Sequence, residues 1–385
     1  MKNIRFVLAP DSFKESMTAK QVCQAMEAGL KILFPEAEFI HVPMADGGEG
    51  TMQSLIDATG GEIYSKTVSG PVGQNVAAQF GIIHSQQTAV IEMASASGIQ
   101  YTNQHTKNPL EATTYGTGEL IKASLDKGVK KIILGIGGSA TNDGGAGMAA
   151  ALGVRFLDKH GAALPPGGGA LGLLSTIDIS GMDSRIADVE FIVACDVTNP
   201  LCGETGASNV FGPQKGATPE MIATLDAGLA HYAQIIFEQL GRVVKDVPGA
   251  GAAGGLGAGL MAFTQCNMAR GIDIVTEYSG LSDKLRGADY CLTGEGGIDF
   301  QTKFGKTPYG VAQVARSHGV PVIALAGYIG AGVNELYSEG IDAIFGIVPG
   351  AASIETLLAQ GPENIARTCE NIGRLLKLSP AGWTK

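Results

Sequence analysis

Five short apolar runs, two near the start of a 385-residue chain and three near its end, alternate with segments of helical periodicity. This alternation constrains the fold more than any other feature. Parallel strands need crossover connections, and a helix is the usual crossover. The runs are Ile4 to Ala9, Phe39 to Pro43, Ala288 to Leu292, Val320 to Ala326 and Ile341 to Val348. Helical spacing follows at about Thr18 to Leu33, Thr51 to Ala58, Pro308 to His318 and the chain end. The reading is an α/β protein whose flavodoxin-like parallel-sheet domain is formed by both chain ends, 1–69 plus 271–385. A second, mixed α/β domain, 70–270, is inserted into it.

The inserted stretch has its own pattern. Val76 to Ile83 and Thr88 to Ala94 alternate like paired strands, and Lys131 to Ile136 and Val189 to Cys195 read as further strands. Pro219 to Leu240 is the longest amphipathic helix, with Met221, Leu225, Leu229, Tyr232, Ile236 and Leu240 on one face.

Composition enters where it excludes partners. Twenty-seven basic against 37 acidic residues give a net charge of −10, which argues against nucleic acid and anionic membranes. No apolar stretch is long enough for a membrane span, and the six cysteines form no C-x-x-C pair, so reduced core cysteines and a cytoplasmic location are expected. Glycine is the outlier, 56 of 385 residues, about twice its usual share. Such an excess suits tight turns that bring backbone N–H groups to a ligand.

In a doubly wound sheet, ligands bind at the carboxyl ends of the strands, near the reversal of strand order. Polar turns stand there: Asp11, Ser12 and Lys14 after the first strand, Asp46 and Glu49 after the second, Glu295 and Asp299 after the third. The middle stretch supplies GGSATNDGG at 137–145, between a strand and an Ala/Gly-rich helix at Ala146 to Leu152. Free backbone N–H groups and a helix N-terminus there are the physics of a phosphate cradle. The same residues also fit a tight turn capped by Thr141, Asn142 or Asp143. Asp196 follows another strand, and Lys215 sits in a Gly-Pro-Gln-Lys-Gly turn.

Two look-alikes are set aside. GKT at 305–307 lacks the first glycine of a P-loop, since Phe300 stands there. Gly249 to Gly254 matches G-x-G-x-x-G, with Asp273 about 20 residues on, but lies far from the N-terminal βαβ unit. Close helix packing is its expected role, and an NAD-dependent dehydrogenase would rest on it alone. The six histidines show no ligand spacing and no nucleophile partner. Carboxylates, glycine-rich turns and a few lysines together suit phosphoryl transfer.

Six segments, VLAPDSFKES at 7–16, ADGGEGT at 45–51, GIGGSATNDGG at 135–145, CDVTNPL at 195–201, FGPQKGA at 211–217 and PGAGAAGG at 248–255, resemble the bacterial type I glycerate kinases (glycerate 2-kinases) in order along the chain. The resemblance implies ATP-dependent phosphorylation of D-glycerate, giving 2-phosphoglycerate or 3-phosphoglycerate, with the active site between the two domains. Gly137, Gly138, Ser139, Thr141, Asn142 and Lys215 would then bind ATP. Asp196 and Asp299 would hold Mg²⁺ or orient the acceptor hydroxyl. Lys14 and Lys306 would hold the carboxylate of glycerate or the transferring phosphate, with Asp11, Ser12, Asp46, Glu49, Glu295 and Gln301 around the substrate. A homodimer is allowed. The chain departs from the family at Gly297, where an arginine normally follows Thr-Gly-Glu-Gly, and at Tyr115, where some relatives carry arginine. That departure motivates a second reading, a non-catalytic sugar-acid binder.

Overall fold

A computed structural model of the chain describes residues 3–378, so the outermost residues of the domain formed by both ends lie outside the description. Its strands, in chain order, are β1 Arg5–Leu8, β2 Glu38–His41, β3 Glu62–Ser69, β4 Asn75–Ile83, β5 Thr88–Glu92, β6 Lys131–Gly135, β7 Arg155–Leu157, β8 Thr176–Asp178, β9 Glu190–Ala194, β10 Gln265–Ala269, β11 Tyr290–Ile298, β12 Val322–Ile329 and β13 Ala343–Gly346. The chain divides into two compact units. Among the described residues, one holds those up to Asp46, Gln53–Gly60 and those from Gly271 onward; the other holds Gly47–Met52 and Gly61–Arg270.

In the first unit five parallel strands stand in the order β13-β12-β11-β1-β2. Counted within the unit this is the flavodoxin-like order, with the reversal at β1 and β11. Phe6, Val7 and Leu8 are fully buried on both faces, as expected of a central parallel strand covered by helices. The Phe6 ring packs on Phe34, Phe39 and Tyr290 at centroid distances of 5.4–5.7 Å. The helix Ala19–Lys31 starts at a Thr18–Gln21 capping box and packs against Gly361–Leu378. Gly29 permits that approach: a β-carbon there would lie 2.8 Å from Cys369 Cβ, closer than real side chains stand.

The second unit is built on a six-stranded sheet, β10-β9-β6-β5-β4-β3. The expected pair of strands is an antiparallel hairpin with Phe80 opposite Ile91, and β5, β6, β9 and β10 run parallel. The helix Pro219–Leu240 keeps its expected bounds because both ends are punctuated: the Thr218 hydroxyl caps it, Pro219 opens it, and Gly241 ends it in the left-handed conformation.

Two expectations are corrected. Residues 61–69 were assigned to the unit of both ends, yet β3 pairs along its whole length with β4. Its apolar face is thin, so only pairing shows where it belongs. Residues Thr293 to Gly297, read as a turn after the third strand, continue β11 to Ile298 and pair with β12, Glu295 opposite Ala326 and Gly297 opposite Tyr328. The glycines there allow close strand approach; a β-carbon at Gly327 would stand 2.7 Å from the Gly296 carbonyl oxygen.

Candidate functional site

In the first unit the reversal of strand order sets Asp11, in the loop after β1, beside the carboxyl half of β11. Asp11 N–H donates to the Gly294 carbonyl at 2.9 Å. Both oxygens of its carboxylate are occupied. Oδ2 accepts from Thr307 Oγ1 at 2.5 Å, and Oδ1 accepts from Ser12 N–H at 2.6 Å and from the Ser12 hydroxyl at 3.2 Å. On β11, Glu295 Oε1 accepts from Thr302 Oγ1 at 3.2 Å and lies 3.4 Å from Lys306 Nζ, which also donates to the Gly297 carbonyl at 3.3 Å. Asp299 opens the following turn, accepting Gln301 N–H on Oδ1 at 2.8 Å, while its own N–H donates to Thr302 Oγ1 at 3.2 Å.

Burial pushes Asp11 up to about 6, with the Asp46 charge adding and the Thr307 and Ser12 bonds opposing. Burial pushes Glu295 up to about 7, against the Lys306 charge and the Thr302 bond, with Asp11 adding. Two neighbouring carboxyls that titrate near neutrality, with a lysine on one, form the kind of pair that marks acid–base sites. Of the expected residues of this unit, the structure brings together Asp11, Ser12, Glu295 and Lys306. Asp46 is half-buried, Asp299 and Gln301 border the group, and Lys14 is exposed.

The second unit holds the glycine loop, and most of it is not at the surface. Gly137 and Gly138 are exposed, whereas Ser139 to Ala146 are buried. Lys215 is buried beneath them, its Nζ donating to Ser139 Oγ at 2.8 Å and to the Thr141 carbonyl at 2.6 Å. Burial pulls this lysine down to about 7, opposed by the charge of Asp143. Asn142 Nδ2 donates to Ser208 Oγ at 2.9 Å. Asp143 accepts from Thr114 N–H and Oγ1 and from the N–H groups of Gly145 and Gly147, at 2.8–3.1 Å. The N-terminus of the helix Ala146–Ala151 is therefore met by Asp143 rather than open to an anion. The Gly137–Gly138 backbone is the part of the loop that is open to solvent. Asp196, after β9, and Glu49 are exposed.

The glycines of 249–254 find their use here. Gly144 N–H donates to the Gly254 carbonyl at 3.0 Å, a methyl at Gly254 would overlap the Thr141 carbonyl, and Gly255 leaves 2.8 Å to Gly144 Cα. They brace the loop and precede β10 instead of following a strand, so the dinucleotide reading loses its basis. The resemblance marks Thr302 only as a position kept beside Glu295 and gives it no role, and sequence reasoning missed Thr307 and Glu92; the two threonine hydroxyls hold the two carboxyls, and Glu92 accepts Met52 N–H at 2.9 Å. A threonine in a turn carries no signal of its target. Glu92, closing an apolar strand, did carry one.

No three His, Cys, Asp or Glu side chains stand together as a metal cage among the described residues. Mg²⁺ does not require one, since it takes one or two carboxylates and fills its shell with water and substrate phosphates. Exposed Asp196 and half-buried Asp299 suit that mode. No described helix is long and apolar enough to cross a membrane.

Comparison with known proteins agrees with this picture over nearly the whole chain. The model of the glycerate kinase family matches residues 6–377. Glycerate kinase of Bacillus subtilis is 51% identical over 376 residues, 98% of each chain. Glycerate 2-kinase of Escherichia coli K12 is 48% identical over 375 residues, 97% of this chain and 98% of that one. A glycerate kinase 2 crystal structure from Salmonella typhimurium LT2 superposes with a TM-score of 0.90 at 46% identity, covering 98% of this chain and all of that one. With its motifs, its parallel sheets and its carboxyl pair accounted for, the chain belongs to the glycerate kinase family.

Proposed function

We propose that the protein transfers the γ-phosphoryl group of ATP to a hydroxyl of D-glycerate, giving 2-phosphoglycerate, in the cytoplasm. The observation that carries this reading is the near full-length identity with glycerate 2-kinase of Escherichia coli. The grouping of Asp11, Ser12, Glu295 and Lys306 at the strand-order reversal supports it. Lys306 and Lys14 supply positive charge for the glycerate carboxylate or the transferring phosphate, and Ser12, Asp46, Glu49 and Gln301 supply polar contacts around the substrate. Gly137 and Gly138 offer backbone N–H groups to the ATP phosphates, held in place from below by Lys215, Ser139, Thr141 and Asn142. Asp196 and Asp299 would hold Mg²⁺, which neutralises charge on the phosphates when bound.

Phosphorus-31 NMR of a mixture of protein, D-glycerate, ATP and Mg²⁺ tests this. A growing resonance of 2-phosphoglycerate with matching ADP is the expected result, and EDTA abolishes it. A resonance of 3-phosphoglycerate would correct the site of transfer, and no phosphoester at all would overturn the reading.

A further inference from the structure

The geometry points to Glu295 as the general base that takes the proton of the acceptor hydroxyl, with Thr302 as the residue that positions it. This rests on the kinase reading and gives one carboxyl of the Asp11–Glu295 pair a defined catalytic role. The two carboxyls differ in which of their oxygens hold a partner. On Asp11 both oxygens already hold a hydrogen bond: Thr307 donates to one and Ser12 donates twice to the other. Glu295 differs. Thr302 and Lys306 both meet Oε1, and Oε2 has no hydrogen-bond partner among the described residues. Its side chain is 12% exposed, enough for one oxygen to reach a ligand. A base needs that asymmetry: one oxygen fixed, the other open to the substrate.

Thr302 does the fixing. Its hydroxyl accepts the Asp299 N–H, which leaves its proton aimed at Glu295 Oε1. The side chain is fully buried in the turn Phe300–Phe304, so the bond is shielded from water. The charged groups that face Glu295 are Lys306, from the turn before the helix Thr307–Ser317, and Asp11, from the loop after β1. Asp11 discourages a second negative charge, while Lys306 and Thr302 favour the ionised carboxylate. Burial, the largest influence, outweighs them and holds Glu295 near neutrality, where a base can both accept and release a proton.

In the step itself, the hydroxyl oxygen of the hydroxy acid bonds to the γ-phosphorus of a nucleoside triphosphate. The bond from that phosphorus to the bridging oxygen breaks, and the diphosphate leaves with its electron pair. The hydroxyl proton passes to Glu295 Oε2 and goes to solvent after the products depart.

The test compares the parent with Glu295→Gln, Thr302→Val and Thr302→Ser in steady-state kinetics across pH, with ATP, Mg²⁺ and D-glycerate. Glu295→Gln should lower kcat by about 100-fold or more while KM for glycerate changes by less than about threefold. The parent should lose kcat at low pH as Glu295 is protonated. Thr302→Val removes a donor that favours the ionised form, so that loss should move to higher pH, and Thr302→Ser should restore it. A merely structural Thr302 would lower kcat at every pH alike. Glu295→Gln within about threefold of an active parent, or an unmoved acid limb in Thr302→Val, would overturn the assignment alone. A parent with no turnover would overturn the kinase reading and the assignment with it.

Discussion

Gly297 stands where the resemblance implies an arginine, and its surroundings show what a side chain would meet there. Its backbone is not left-handed, and a β-carbon there would meet nothing nearer than Tyr328, at 3.9 Å. The position therefore tolerates a side chain without strain. Gly297→Arg should leave the thermal midpoint within about 2 °C of the parent, because the half-buried position leaves room for a side chain. It should also lower KM for glycerate, because an arginine fork adds a charge-assisted bond to a carboxylate worth roughly tenfold in affinity. Calorimetry and kinetics on the same preparation check both. Lys215 gives a second test. A lysine titrating near 7 when folded and at 10.5 when unfolded makes the folded state bind fewer protons between those values. Its penalty is complete below about pH 7 and fades as pH rises toward 10.5. Any stability advantage of Lys215→Met over the parent should shrink as pH rises through that window. Denaturant unfolding at pH 7 and 9.5 measures it, and a constant difference would mean that the lysine stays charged in the fold.

At the scale of elements, glycine-on-glycine packing holds the 137–145 loop, which makes it sensitive to single methyl groups. Gly254 has φ of +68° and abuts the Thr141 carbonyl, whereas Gly50, with φ of +90°, has nothing within 4 Å of its missing side chain. Gly254→Ala should destabilise the protein by at least about 2 kcal/mol, and Gly50→Ala by roughly 1 kcal/mol, the cost of the backbone conformation alone. Urea titration of both variants separates overlap from backbone strain. The elements themselves were largely legible. The central strands of the first sheet announce themselves as apolar runs because both faces are covered, as at Phe6, Val7 and Leu8, and the helix Pro219–Leu240 because its apolar residues recur on one face. β3 was misassigned because its side chains are mostly exposed and only its partner defines it. The end of β11 was misread because glycine, glutamate and glycine in succession look like a turn, yet pair as a strand. The site was legible as a set of carboxylates and lysines following strands. It was not legible as a network, because the partners Thr302, Thr307 and Ser208 are ordinary polar residues brought in by tertiary folding. The short helix Ala146–Ala151 has Gly145 as its N-cap, not one of the three expected residues; Asp143 serves it from two residues further back, accepting the Gly145 and Gly147 N–H groups, and sequence offered no means of foreseeing that.

At the scale of the whole molecule, one chain carries two α/β units, and the residues assigned to the reaction lie on both. Lys306, Glu295 and Asp11 belong to the unit built from the chain ends, and Gly137, Gly138 and Asp196 to the other. The kinase reading thus predicts that substitutions in either unit act on the same reaction: Lys306→Met and Asp196→Asn should each lower kcat/KM by tenfold or more. An Asp196→Asn enzyme with near-normal kcat would remove that residue from the account. The most direct measurement is a coupled assay of ADP release with D-glycerate, ATP and Mg²⁺, run on the parent beside Gly297→Arg. Glycerate-dependent ADP release by the parent, strengthened at low glycerate by the arginine, is the predicted result. ADP release that ignores glycerate, or silence in both proteins while glycerate still binds, would contradict the account and leave a sugar-acid binder in its place.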